Sequence, residues 1–460
     1  MIGDTILKRD MTKKEKEVKL TSLNIDGEMF YQISNSDEMR PFLMSIVSDS
    51  DHWMFISSNG GLSAGRKNAQ FSLFPYYTDD KITESSDITG SKSIFKVFKG
   101  GQVYLWEPIA TRSQGKYNTT QNLYKNKYGN KVIFEEVNHD LELTFSYQWN
   151  SSDDFGFVRT SKITNNGSSA VKIELIDGIQ NIVPAGIGSD VQNASSNLVD
   201  AYKRNELEPS SGLGIFALSA ILVDKAEASE ALKANVAWSI GLDNPNYLLS
   251  SLQLDNFRFG KSVSQEEDIK AEKGAYFLNT TIQLGLNDSK EWRIIANLNH
   301  NHSEIALLIK TIKENNDLWQ KLQDNIDLGT KKLLELNAAS DALQCSEDNQ
   351  RDSRHYSNTL FNIMRGGIFD DNYNIEKWDF EKYLANANKK VARKSEGVLN
   401  TLPDVFTLET LHEIAYQSDD KNFRRLCLEY MPLKFSRRHG DPSRPWNIVS
   451  INTKGDVDGS

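Results

Sequence analysis

From about residue 20 to residue 298 the sequence returns again and again to short runs in which apolar and polar residues alternate, and after residue 303 that pattern stops. Period-two alternation puts successive side chains on opposite faces of a pleated strand, so each run describes a strand with one buried face. The clearest are SIFKVF at 93–98, QVYLW at 102–106, KVIFEEV at 131–137 and LELTFSYQW at 141–149. Turn chemistry separates the runs at Gly100-Gly101, Tyr128-Gly129-Asn130, Asn165-Asn166-Gly167 and Gly274. Phe157–Ile163, the Asn165-Asn166-Gly167 turn and Val171–Leu175 follow the pattern of a hairpin. About fifteen strands at this spacing predict a large antiparallel β-sandwich over residues 1–298.

At residue 303 the period becomes 3.6. Ile305, Leu308, Ile309 and Ile312 recur at i, i+3, i+4 and i+7 behind Ser303, which predicts a helix capped by that serine and burying one stripe. Leu318, Leu322 and Ile326, then Leu333, Leu334 and Leu336, carry helical character on, giving a helical linker over 299–345. HYSNTLFNIMRGG from His355, FEKYLANANKK from Phe380, TLETLHEIAYQ from Thr407 and KNFRRLCLEY from Lys421 read as further helices over 346–460. The final GDPSRPWNIVSINTKGDVDGS, with its proline, glycine and serine, does not.

Composition excludes several classes. No apolar run approaches the roughly 20 residues of a bilayer span, and MIGDTILKRDMTKKEKEVK lacks the apolar core and cleavage site of a secretory signal, so no membrane association and a cytoplasmic location are expected. Lys and Arg number 53 against 63 Asp and Glu, a net charge of −10 that argues against nucleic acid as a partner. The basic cluster Arg424, Arg425, Lys434, Arg437, Arg438 and Arg444 reads as a solvated helix face. Cys345 and Cys427 share no metal or redox spacing and are expected to be buried thiols in helical segments.

The stretch SSNGGLSAGRKN at 57–68 has the glycine spacing of a phosphate loop at Gly60 and Gly65. Arg66 stands where the lysine belongs, Lys67 replaces the hydroxyl, and the aromatic FSLFPYYT follows where a helix should open, so no nucleotide site is expected. The pair His300 and His302 lacks the further ligands a metal needs. Asp79-Asp80 and Asp370-Asp371 are neighbours that on a strand would face opposite ways. No hydrolase elbow or zinc-protease motif occurs. Trp53, Phe55, Phe71, Phe74, Tyr76 and Tyr77 gather in sequence beside Asn59, Arg66, Asp79, Asp80 and Lys81. Flat rings with planar hydrogen-bonding groups suit a sugar, and they equally suit an ordinary sandwich core.

Three stretches carry a family resemblance. FISSNGGLSAGRKNAQFSLFPYYTDDKI resembles a segment near the start of cellobiose phosphorylases and related β-glucan phosphorylases. FKGGQVYLWEPIA is similar to a hairpin of those enzymes, and SKITNNGSSAVKIELIDGIQNIVP to their strand, Asn-x-Gly, strand repeat. The larger β-1,3-glucan phosphorylases are the more similar group, through Arg66 and the Asp79-Asp80-Lys81 run. The resemblance implies a galactose-mutarotase-like super-sandwich, linker helices and the start of an (α/α)6 barrel. It implies inverting phosphorolysis of β-gluco-oligosaccharides with inorganic phosphate as co-substrate, no metal or organic cofactor, and a homodimer. It suggests Arg66, Tyr76, Asp80, Lys81 and Arg365 as substrate contacts.

The family's Arg-Asp-amide motif and its catalytic aspartate have no counterpart among these 460 residues, and no catalytic residue is assigned. The expectation is an N-terminal portion, inactive by itself, of a phosphorylase. The alternative is a non-catalytic carbohydrate-binding or scaffolding β-sandwich.

Overall fold

The alternating runs become strands because every second side chain enters one shared core. In Leu143–Ser152 the inward residues Leu143, Phe145, Tyr147 and Trp149 are buried, while Thr144, Ser146 and Gln148 are half-buried. The computed structural model describes residues 16–77, 79–193, 197–220, 232–314, 317–340, 342–365, 368–369, 374–430 and 433–434. Among them twenty strands lie between Lys19 and His300. That exceeds the alternation count because Ser72–Phe74, Asn246–Leu248 and Asp268–Lys270 are too short to show a period.

Eleven strands form the largest sheet, in the order Lys19–Ile25, Glu28–Ser34, Thr119–Asn126, Val132–Asn138, Leu143–Ser152, Gly156–Asn165, Ser289–His300, Ala234–Ile240, Leu213–Leu218, Lys203–Glu208, Asp268–Lys270. Five make a second sheet, ordered Asn246–Leu248, Gly274–Leu284, Val171–Ile182, Gly90–Lys99, Gln102–Trp106. A third holds Leu43–Ile46, His52–Ser57, Leu62–Arg66 and Ser72–Phe74. The pairings are antiparallel, as in the Lys19↔Ser34 and Val171↔Leu284 ladders. Phe145, Phe157 and Trp292 from the first sheet, Phe95, Ile173 and Tyr276 from the second, and Ile56, Leu62 and Phe74 from the third share one apolar cluster. Facing sheets around one core make an antiparallel sandwich.

The two turn signatures differ in outcome. Gly100 and Gly101, at φ 60° and 73°, join Gly90–Lys99 to Gln102–Trp106 in a two-residue hairpin with Lys99 opposite Gln102. The Asn165-Asn166-Gly167 turn makes no hairpin. Gly156–Asn165 pairs with Leu143–Ser152 and Ser289–His300, whereas Val171–Ile182 pairs with Gly90–Lys99 and Gly274–Leu284 in the other sheet. The Asn165 amide donates to Ser169 O and Gly285 O, both at 2.8 Å, and its oxygen accepts from Gly167 N at 3.0 Å, so the corner passes the chain between sheets.

The helix His302–Glu314 is capped by Asn301, not Ser303. The Asn301 side chain accepts from Ser303 N and Glu304 N, and the Glu304 carboxylate accepts from Asn301 N at 2.8 Å, a reciprocal capping box. Its apolar stripe is only half-buried: Ile305, Leu308, Ile309 and Ile312 all keep some exposure. Helices Leu318–Ala338 and Asn349–Arg365 follow. FEKYLANANKK is two helices, because Asn388 interrupts it and caps Lys389–Leu399 by accepting from Lys390 N and Val391 N.

Phe380, Leu384, Val391, Leu411, Phe423 and Leu426 centre a separate apolar cluster, with Tyr430 edge-on to Phe380. Cys427 lies within it and burial pushes its thiol up to about 12, whereas Cys345 is exposed and outside any helix, contrary to expectation. Arg424 donates to Ala415 O and Ser418 O, and Arg425 pairs with Glu429. Asp370, Asp371, Arg437, Arg438, Arg444 and the closing segment lie outside the described residues. The chain divides into two units, one of Met1–Val47, Met54–Arg66 and Gln70–Asn325, the other of Ser48–Trp53, Lys67–Ala69 and Ile326–Ser460. No helix among the described residues is long and apolar enough to cross a membrane.

Candidate functional site

Gly60 and Gly61 close a turn between strands His52–Ser57 and Leu62–Arg66, and Gly65 lies within the second strand. Gly60 N donates to Ser57 O and Ser57 N to Gly61 O, both at 2.8 Å, so these amides hold the turn and are not presented to a phosphate. Gly60 sits at φ 92°, in the left-handed region. Gly61 is required by space: a Cβ there would lie 1.9 Å from the Ile82 carbonyl oxygen of helix Asp79–Glu84. The Asn59 amide ties down the same helix by donating to Thr83 O at 2.9 Å. Asp80 and Lys81 therefore ride on a short helix, not on the strand expected from the aromatic run, and both are exposed while Ile82 anchors them.

Arg66 ends its strand. One guanidinium nitrogen meets Asp153 Oδ1 at 3.1 Å, and another donates to Asp153 O at 3.2 Å and Asn297 Oδ1 at 3.4 Å. Tyr76 is half-buried, and its backbone N donates to Gln192 Oε1 at 2.9 Å. Arg365 is the last residue of helix Asn349–Arg365, and its side chain lies outside the described residues. Of the aromatic group, Trp53 and Phe74 are buried, with Phe74 edge-on to Trp149 at 6.1 Å. Phe55, Phe71, Tyr76 and Tyr77 keep partial exposure, and burial raises the Tyr77 hydroxyl pKa. Phe74 thus belongs to the sandwich core, while Phe55, Phe71, Tyr76 and Tyr77 retain accessible surface.

His300 is half-buried and its pKa is lowered, first by burial; Glu304 opposes the shift and Arg66 adds to it. His302 is exposed at the start of the next helix. No group of three or more histidine, cysteine or acidic side chains among the described residues is arranged to hold a metal.

Sequence reasoning missed a polar cluster inside the sandwich. Arg159 grips Asp177 through both terminal nitrogens, at 2.7 and 2.9 Å, and also donates to Ser91, Ser93 and Ser161. Trp292 Nε1, Ser93 and Ser161 donate to the same carboxylate, and the guanidinium lies 4.7 Å from the Tyr147 ring centre. The signal was present: Arg159 and Ser161 take inward positions in the alternation of Phe157 and Ile163, and Asp177 interrupts an apolar run. With its charges matched and its oxygens occupied, the cluster is a sealed structural network and offers nothing to a substrate.

Residues 369–432 match the family description Glycoside hydrolase family 149 insertion domain 1, which ties this part of the helical region to a glycoside hydrolase-like family. No curated protein matches the chain. Among solved structures, a polysaccharide lyase is similar at 10% identity and a TM-score of 0.34, over 59% of this chain and 34% of that one. A bacterial glucoamylase complexed with acarbose is similar at 10% identity and a TM-score of 0.33, over 90% of this chain and 60% of that one. A protein assigned as a kojibiose phosphorylase from the human microbiome is similar at 10% identity and a TM-score of 0.27, over 62% of this chain and 29% of that one. The chain thus spans about a third to three fifths of the length of the first two. The fold is defined by its strand topology.

Proposed function

We propose that the chain forms part of a carbohydrate-active glycoside phosphorylase that acts on β-gluco-oligosaccharides with inorganic phosphate. The observation that supports this reading most is the match of residues 369–432 to an insertion domain of a glycoside hydrolase family. The resemblance of the SSNGG segment to β-glucan phosphorylases points to the same chemistry from the other end of the chain. In this reading residues 1–298 are the sandwich domain, 299–345 a helical linker, and 346–460 the beginning of an (α/α)6 catalytic domain that carries the inserted segment.

The reaction is inverting phosphorolysis. An acid protonates the glycosidic oxygen while a phosphate oxygen attacks the anomeric carbon from the opposite face; the C–O bond to the leaving sugar breaks and a bond to phosphate forms. Neither a metal nor an organic cofactor takes part. Arg66, Tyr76, Asp80, Lys81 and Arg365 are assigned to binding sugar, and the acid is assigned to no residue here. The working unit is a homodimer.

The test is phosphate dependence. The parent protein, incubated with β-1,3- and β-1,4-gluco-oligosaccharides, is expected to release glucose 1-phosphate only when phosphate is supplied. Release of free sugar without phosphate would make it a hydrolase. Sugar binding with no turnover would assign the sandwich to binding or scaffolding.

A further inference from the structure

A cavity of about 410 Å³ opens beside the Gly100-Gly101 hairpin, lined by Lys99 and Gly100 of the turn, Tyr104, Lys116, Tyr117 and Asp140. Its volume falls within the ~300–1,000 Å³ usual for small-molecule sites. None of these residues belongs to the group beside Arg66. Four of these side chains make defined contacts. Tyr104 and Tyr117 pack against the sandwich core, and their hydroxyls are fixed, Tyr104 donating to Gln102 Oε1 and Tyr117 to Leu105 O, both at 2.8 Å. Asp140 Oδ2 accepts from Asn118 N at 2.9 Å, and Lys99 Nζ donates to Leu141 O at 3.2 Å and Glu142 at 2.6 Å. The cavity is open at Gly100, where an added Cβ would meet nothing within 4 Å.

Two rigid tyrosines give apolar contact at low entropic cost, as in binding sites that use them as anchors. Lys99 and Lys116 are balanced in charge by Asp140 and by Glu142 at the Lys99 ammonium. That balance disfavours an anion or a cation and suits a neutral ligand with many hydroxyls, which needs both donors and acceptors along its edge. We infer that this cavity is a carbohydrate-binding subsite, distinct from the Arg66 region, that takes one or two units of a neutral oligosaccharide. The choice of gluco-oligosaccharide rests on the function proposed above.

Hydrogen–deuterium exchange of the 460-residue chain with laminaritriose or cellotriose tests it. Slowed exchange is expected at 99–104, 114–118 and 139–141. Truncation of one of the two rings, Tyr104→Ala, is expected to weaken binding about tenfold or more. Because Tyr104 also touches the core, the exposed Lys116→Ala and the conservative Asp140→Asn serve as second variants, each expected to weaken binding while leaving the thermal midpoint in place. Protection elsewhere only, unchanged affinity in all three variants, or protection by inorganic phosphate alone would overturn the inference. Phosphorolysis by the parent protein with these segments unprotected would remove the subsite and leave the proposed function standing; protection here without phosphorolysis would do the reverse.

Discussion

Two of the sandwich's arginine–aspartate pairs share the same chemistry under opposite circumstances. Arg159 and Asp177 meet at 2.7 Å with both side chains 0% exposed; Arg66 and Asp153 meet at 3.1 Å with side chains 20% and 41% exposed. Arg159 stands in the middle of Gly156–Asn165 on the inward face, whereas Arg66 is the final residue of Leu62–Arg66. Position along the strand therefore decides the role. A charge buried mid-strand is tolerated only if every partner is supplied, and serines, a tryptophan and the opposing ion supply them here. A charge at a strand end keeps water, and its partners can be exchanged for those of a ligand. Of the two, only Arg66 keeps part of its side chain accessible.

The sharpest way to break this contrast is Asp177→Ala. It leaves the Arg159 guanidinium buried without its counter-ion, and a loss of about 3–5 kcal/mol is expected in urea unfolding. A loss below about 1 kcal/mol would show that water reaches the pair and that the two sites are alike. The double variant Arg159→Met with Asp177→Leu removes both charges and is expected to recover most of the loss, because apolar replacements of similar size need no partners. If the double variant is as unstable as the single one, the serine and tryptophan hydrogen bonds carry the stability instead of the ion pair.

Arg66→Ala is expected to cost about 1 kcal/mol or less, with a further reduction in high salt, since a pair that keeps contact with water gains little over its hydration. In the parent protein the same change is expected to weaken oligosaccharide binding while the thermal midpoint barely moves. A stability loss as large as that of Asp177→Ala would make Arg66 a second structural anchor and withdraw it from the substrate site.

Much of the sandwich was legible because burial on one face writes itself into alternation, as Leu143, Phe145, Tyr147 and Trp149 show. Which strands pair was not. The Gly100-Gly101 and Asn165-Asn166-Gly167 turns look equivalent in sequence, yet only the first joins neighbours in a sheet. A turn motif reports a reversal of the chain, while the partner of each strand is chosen by long-range packing. Helix Asp79–Glu84 was missed because six residues give no period, and its place is set by the missing side chain of Gly61. Of the candidate site, the sequence marked Arg66 as unusual through a broken motif. It gave no hint of Asp153, in the turn after Leu143–Ser152, or of Asn297, on strand Ser289–His300, nor of the Tyr104 and Asp140 cavity, whose walls are separated in sequence.

The smallest effect expected tests whether the charge of Arg66 reaches beyond its own ion pair. The pKa of His300 is depressed from 6.5, chiefly by burial, with Glu304 raising it and Arg66 lowering it further. A histidine whose folded pKa lies below its unfolded one takes up protons more readily when unfolded. Its contribution to stability is therefore complete above the unfolded value and is lost as pH falls through that value toward the folded one. Arg66→Gln removes one lowering cause and leaves burial in place. The His300 pKa is expected to rise toward its ordinary value without reaching it, and the acid-side loss of stability to shrink with it. Titration of the imidazole proton resonances by NMR, with a His300→Asn variant to assign the signal, reads this directly. An unchanged or lower pKa would mean that solvent screens Arg66 completely from His300, and that the arginine is electrostatically more isolated than its 20% exposed side chain implies.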